Sequence, residues 1–210
     1  MIWVMFKAIN DGDIMLITVT GPTGSGKSTL AQALVSLGIS LIPTWTTRPL
    51  RPGEAERGDM VQVSFSKMQE CIMLETAEYD RHWYGTPLLP TVKEALSGAS
   101  AAVKILEPQG LVMLRDQVTR TFPKAAGGEP PRLGHVYVSV EGETAQRRIL
   151  ARCHGKPSPA DQRRMMRAVK ECATWRNVLP WDATIDNNEE ANTLLPQASR
   201  LIETLGVAQL

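Results

Sequence analysis

The sequence predicts an α/β fold on a mostly parallel sheet, and three observations predict it. Ile14-Met-Leu-Ile-Thr-Val-Thr20 is short, apolar and rich in β-branched residues, bounded by Gly21 and Pro22, and reads as a buried strand. Residues 28–37 follow it with Leu30, Leu34 and Leu37 on one helical face and Gly38 as the stop. Further apolar runs at 101–106 and 135–140 alternate with helical patterns near 110–119, 144–153, 160–176 and 189–205. Strands alternating with helices imply parallel pairing through crossover connections.

The remaining segments fit between these. Pro43, Pro49, Pro52, Gly53 and Gly58 punctuate residues 43–62, which predicts irregular backbone with short strands rather than a long helix. Ser66-Lys-Met-Gln69 has capping-box spacing and predicts a short helix to about Met73; Thr91-Val-Lys-Glu94 repeats the signal, with Gly98 as its stop. The Gly-Gly and Pro-Pro pairs of 124–132 read as a loop. Lys104 is awkward in a fully buried strand, which predicts that strand 101–106 lies at a sheet edge or turns this side chain into the active site.

At 210 residues the chain suits one domain of ordinary size. Its net charge of +1 supplies no global field for nucleic acid or an anionic membrane, so any phosphate site must be local. Cys71, Cys153 and Cys172 are widely spaced and odd in number, which argues against a disulfide framework or a zinc site and for a reducing, cytoplasmic setting. No run of about 20 apolar residues predicts a membrane span. Residues 1–13 read as an N-terminal extension, since the apolar start ends at Lys7 and is too short for a signal-peptide core.

Gly21-Pro-Thr-Gly-Ser-Gly-Lys-Ser28 matches G-x-x-x-x-G-K-[ST] between a strand and a helix, the context the motif requires. Its glycines let backbone N–H groups turn inward as an anion nest, and the helix beginning near Lys27 adds its positive end. Lys27 is a cation for the β- and γ-phosphates, and the Ser28 hydroxyl is a Mg²⁺ ligand. The segment predicts a nucleoside triphosphate site.

A second pocket follows. Arg48 and Arg51, three apart in a Pro-fixed loop, can converge on one phosphate. Glu75 and the later Tyr84-Gly-Thr-Pro87 add a carboxylate and hydroxyls suited to a base edge. A carboxylate accepting two N–H groups fits guanine at N1 and N2. Arg148 and Arg152 are i and i+4, so one helix face aims both at one target. Arg163, Arg167 and Arg176 are expected on solvated faces.

With these motifs in view, the sequence resembles the guanylate kinases, which are P-loop nucleoside monophosphate kinases, from about Ile14 to Leu205. The resemblance is carried by residues 21–30, Thr-Thr-Arg-Pro-Leu-Arg-Pro-Gly-Glu (46–54), Leu-Glu-Thr-Ala-Glu-Tyr (74–79) and Tyr-Gly-Thr-Pro (84–87). Weaker echoes lie at 107–110, 148–152, 164–171 and 185–187. It implies a P-loop NTPase three-layer fold with a core (14–43, 101–143, 166–210), an inserted nucleoside-monophosphate-binding region (44–100) and a small lid (about 144–165). It implies transfer from Mg²⁺-ATP to GMP, or dGMP, giving the diphosphate. Gly21, Thr23, Gly24, Ser25, Gly26, Lys27, Ser28 and Thr29 would bind ATP, with Asn187 near the adenine side. Arg48, Arg51 and Tyr84 would hold the acceptor phosphate, and Glu75, Thr86 and Thr44 the base. Glu107 stands where the family usually has an aspartate near metal and acceptor. Arg148, Arg152 and Arg164 would close over the ATP phosphates, so Lys27, Arg48, Arg148, Arg152 and Arg164 form the expected catalytic set.

Met60 departs from the tyrosine usual in the family, and a hydrogen bond lost there is worth roughly 1.5–3 kcal/mol. A kinase for another (deoxy)nucleoside monophosphate, or for a ribosyl phosphate, is therefore the alternative on the same scaffold. A non-catalytic phosphopeptide-binding module of similar fold is a third reading, against which the intact Gly26-Lys27-Ser28 stands. ATP and a monophosphate are the expected partners, without nucleic acid or membrane; oligomeric state is not readable.

Overall fold

β1 (Met15–Thr20) is buried along its whole length, as a central parallel strand must be when helices cover both faces of its sheet. The computed structural model describes residues 15–51, 53–87, 100–121, 132–188 and 194–207. β1 pairs in parallel with β7 (Ala101–Ile105) on one side and β8 (Arg132–Ser139) on the other. β2 (Ser40–Leu41) and β9 (Ala183–Asp186) complete a five-stranded parallel sheet of order β2-β7-β1-β8-β9.

The period-2 alternation of these strands builds three layers. Met15, Ile17 and Val19, with Val103, Val136 and Val138, join a cluster with Leu30 and Leu34 of α1 (Lys27–Ser36) and Ala198 and Leu201 of α7 (Leu194–Leu205). Leu16 and Ala102, on the alternate positions, join Leu111 and Leu114 of α4 (Pro108–Thr121). Each fully buried leucine contributes about 2 kcal/mol of transfer free energy. α5 (Gly142–Arg152) and α6 (Pro159–Thr174) meet through Ala145, Ile149 and Ala168. Pro159 at the first turn of α6 and a reciprocal Ser158–Asp161 capping box start that helix.

A second sheet occupies the chain between β2 and β7. It has the order β4-β3-β6-β5, formed by β3 (Thr44–Thr46), β4 (Met60–Gln62), β5 (Met73–Tyr79) and β6 (His82–Pro87). Two short helices, α2 (Glu54–Arg57) and α3 (Phe65–Gln69), connect its strands. The β5–β6 hairpin was not legible beforehand. Its two-residue turn is Asp80-Arg81, both at positive φ, where Asn-Gly or Asp-Gly is the usual signal.

Several expectations shift. Ser64, not Ser66, caps α3, accepting from the backbone N–H of Lys67, and the helix ends at Gln69 because β5 begins at Met73. β8 begins at Arg132, three residues earlier than its apolar run. β7 lies between β2 and β1, so Lys104 is not on an edge strand. The helix expected near Thr91–Gly98, the extension 1–13 and most of the loop 124–132 lie outside the described residues. Among the described residues, no helix is long and apolar enough to cross a membrane.

Parallel strands all end on one side of their sheet, and the segments that follow them gather there. Gly21 follows β1, Pro43 and Thr44 follow β2, Glu107 follows β7 and Asn187 follows β9. This is where the sequence motifs meet.

Candidate active site

The loop 21–26 leaves β1 and closes onto the N-terminus of α1. Gly24 and Gly26 sit at φ 85 and 97, where a side chain is strained. A Cβ on Gly24 would lie 2.9 Å from the Ala145 carbonyl oxygen, and one on Gly26 would strike the Asn187 amide. The glycines therefore serve close approach as well as turning. Lys27 folds back and donates from Nζ to the carbonyl oxygens of Gly21 (2.7 Å) and Pro22 (2.8 Å). Burial lowers its pKa to about 8, with Arg152 pushing the same way and Glu171 and Glu107 pulling back up.

Two neighbours hold the loop. Asn187, buried, donates from Nδ2 to the Ser25 carbonyl at 2.7 Å, so the structure places it against the loop backbone. Glu171 of α6, also buried, accepts from the backbone N–H of Thr23 at 2.7 Å. Glu171 lies within the echo at 164–171 but drew no role from the sequence, because a glutamate on a helix reads as solvated until the packing of α6 is known. The Thr20 and Ser25 hydroxyls and Asn187 Oδ1 are buried beside this loop without partners among the described residues; the hydroxyls can donate, whereas the amide oxygen can only accept. Thr29 is exposed on α1.

Arg148 and Arg152 of α5 lie near this loop, and Arg164 and then Arg51 extend the positive charge outward from Arg152. Arg148 of α5 reaches the Gly24 carbonyl at 3.5 Å. Burial and then Arg147 and Arg152 lower its pKa. Arg152 is lowered by enclosure and by Arg57 and Arg164. Arg51 is lowered by enclosure and by Arg164 and Arg48, although Glu54 partly compensates. Arg164 itself keeps a 3.1 Å ion pair with Asp161. Lys27, Arg51, Arg152 and Arg164 thus form a cationic cluster, only partly offset by Glu171, Glu107, Glu54 and Asp161, in a chain of net charge +1, an arrangement that attracts an anion.

Arg48 is positioned differently from Arg51. It is buried and paired twice with Glu54, Nη1 to Oε2 and Nη2 to Oε1, each at 2.7 Å. Its Nη1 also donates to the Pro49 carbonyl, and its Nε to the Tyr84 hydroxyl at 3.2 Å. Burial opposes its charge, and Glu54 more than offsets this, leaving its pKa raised. Glu54 also accepts from the Arg51 backbone N–H, which fixes the turn between the two arginines. The Arg51 side chain is half exposed and keeps a looser ion pair with Glu54 Oε1 at 3.6 Å. Glu54→Ala is expected to cost about 3 kcal/mol, because it strands the Arg48 charge; urea unfolding of the two proteins measures it.

The base end comes from the β5–β6 register. Glu75 stands opposite Thr86, and the Thr86 hydroxyl donates to Glu75 Oε1 at 2.6 Å. Both are buried. Gly110, in the first turn of α4, leaves space facing Glu75 Oε2. Thr44 accepts from Lys104, and Glu107 lies exposed at the cleft mouth. Partial enclosure, then Glu171 and Glu75, push the Glu107 carboxyl up against the pull of Lys27, and solvent moderates that shift.

Arg167 corrects the sequence reading. It is not on a solvated face; its guanidinium sits 3.7 Å over the Tyr79 ring, joining α6 to the end of β5. Arg163 and Arg176 are exposed as expected.

Among the described residues, no cluster of three or more His, Cys, Asp or Glu is spaced to hold a metal ion. The oxygen donors near the loop include the half-buried Ser28 hydroxyl, Glu107 and Glu171, the last already accepting from the Thr23 amide. Such hard, sparse oxygen donors suit Mg²⁺ arriving with phosphate oxygens of its own.

Residues 14–203 match the family model described as guanylate kinase. The chain is 31% identical over 193 residues to a guanylate kinase of Rubrobacter xylanophilus, covering 89% of this chain and 94% of that protein. It is 39% identical over 116 residues to one of Trichodesmium erythraeum, there spanning 60% of that protein's length. A crystal structure of guanylate kinase from Anaplasma phagocytophilum shares the fold, with TM-score 0.64 and 18% identity over 95% of this chain and 88% of that one.

Proposed function

This chain belongs to the guanylate kinase family, and from that premise we propose that it transfers the γ-phosphoryl of ATP to GMP or dGMP. The observation that carries the proposal is the cationic cluster. Lys27, from the loop after β1, and Arg51, from the segment after β3, share it with Arg152 and Arg164. Two phosphate ends placed on opposite sides of that cluster would be held end to end.

Transfer of a phosphoryl group needs alignment and charge neutralisation more than covalent help. In this reading Lys27 leaves the Gly21 and Pro22 carbonyls for the triphosphate, and the loop N–H groups bind its oxygens. Arg148, Arg152 and Arg164 neutralise charge on the migrating group from the α5–α6 side. Arg51 holds the acceptor phosphate, while Arg48, locked on Glu54, keeps Tyr84 and the turn in place. No general base is assigned, since a nucleotide phosphate is already ionised near pH 7. Mg²⁺, held by Ser28 and phosphate oxygens, would supply further charge neutralisation. Glu75 accepts the guanine N1–H and N2–H, and adenine offers no such pair.

A panel of monophosphates with Mg²⁺-ATP tests this. GMP and dGMP should exceed AMP, CMP, UMP and dTMP by orders of magnitude in kcat/KM, and equal turnover of all six would reject the reading. Met60, half-buried in β4, favours a second reading in which another nucleoside monophosphate is the acceptor; the same panel identifies it.

A further inference from the structure

Lys104 is the one ammonium among the described residues placed on a core strand, and the reading above gives it no task. It is 2% exposed and lies beside a small cavity with Glu75, Thr86, Leu74 and Leu106. Its Nζ donates to the Pro43 carbonyl at 3.0 Å and to Thr44 Oγ1 at 2.6 Å. An ammonium donates three hydrogen bonds and accepts none. Thr44 Oγ1 must therefore accept from Lys104, and its own proton is left to donate elsewhere. Thr86 has the opposite polarity: its proton goes to Glu75, so its oxygen can only accept.

From these polarities we infer that Lys104 is a specificity-determining positioning residue, which forces the Thr44 hydroxyl to donate to a carbonyl at the 6-position of the acceptor's purine. The inference rests on the acceptor reading above and deepens it. Glu75 and Thr86 accept, Thr44 donates, and a 6-oxo purine with N1–H and a 2-amino group presents the complement. A 6-amino group would face the Thr44 proton donor to donor. Burial lowers the Lys104 pKa to about 8, with Glu75 of β5 and then Asp59, just before β4, pulling it back up. At pH 7 the group is an ammonium, and the polarity holds. A merely structural lysine would satisfy the Pro43 carbonyl and leave base selection unaffected.

The test compares GMP with 6-thioguanosine monophosphate, which keeps N1–H and the 2-amino group but carries a weak acceptor at position 6. Lys104→Met should raise KM for GMP about tenfold, a loss suited to one neutral hydrogen bond in a buried site, with KM for ATP and kcat within about twofold. The preference for GMP over the thio analogue should shrink by the same factor. Thr44→Val should reproduce both effects, and the double variant should be no worse than either single one. Thr44→Val also carries the test if Lys104→Met fails to fold. Equal KM increases for the two nucleotides, unchanged KM for GMP, or additive losses would overturn the inference. Failure of the unmodified protein to use GMP would instead reject the acceptor reading itself, and shows before any variant is made.

Discussion

Lys27→Ala should lower kcat/KM for phosphoryl transfer roughly 100- to 1,000-fold, the usual cost of removing one preorganised charge from a transition state. Thermal stability at pH 7 should not fall with it. The Lys27 pKa is about 8 in the native protein against 10.5 ordinarily. Between those values the unfolded chain binds more protons than the folded one, so stability rises with pH there. Below about pH 8 the native state bears the full cost of a buried ammonium, and alanine removes that cost. Activity lost with the melting temperature kept is therefore the signature, and calorimetry beside steady-state kinetics reads it. ATP affinity of the unmodified protein should weaken by up to about tenfold per pH unit above 8, where free Lys27 loses its proton. That slope should vanish in the alanine variant. An alanine variant with near-normal transfer rates would remove the triphosphate site from residues 21–28.

Glu75→Gln should lower kcat/KM for GMP roughly 1,000- to 10,000-fold, because a site built to accept N–H groups then meets a donor. The carboxylate is buried, and one of its oxygens is already held by the Thr86 hydroxyl at 2.6 Å. An amide in its place either turns its NH₂ toward the base or loses the Thr86 hydrogen bond. ATP binding should change by less than about twofold, since Glu75 is not part of the loop 21–28. Equal losses with every acceptor would mean that Glu75 supports the sheet instead of reading a base.

Both variants address groups whose chemistry was visible beforehand. The loop 21–28 is contiguous, so its strand, glycines, lysine and helix start appear together in the chain. The three inner strands of the parallel core were equally visible, because strands buried on both faces read as continuous apolar runs; the edge strands β2 and β9, short and only partly buried, were not. The β5–β6 hairpin was not, since Met73–Tyr79 has few β-branched residues and its turn uses Asp80 and Arg81 in place of glycine. Glu171 was legible as part of a motif and not as a ligand of the Thr23 amide.

The sequence by itself determined which chemical groups exist and which of them neighbour one another along the backbone: an anion-binding loop, two arginines in a turn, a carboxylate and hydroxyls. Tertiary structure alone decided their division of labour. Arg48 and Arg51 are equivalent as letters, yet Arg48 is buried and held on Glu54 by two 2.7 Å hydrogen bonds, while Arg51 is half exposed and reaches the same carboxylate only at 3.6 Å. Lys104 looked like an anomaly in a strand until Pro43 and Thr44, 61 and 60 residues away, were found at its ammonium. Hydrogen-bond polarity and desolvation depend on distances between chain segments remote in sequence, and only packing sets those distances.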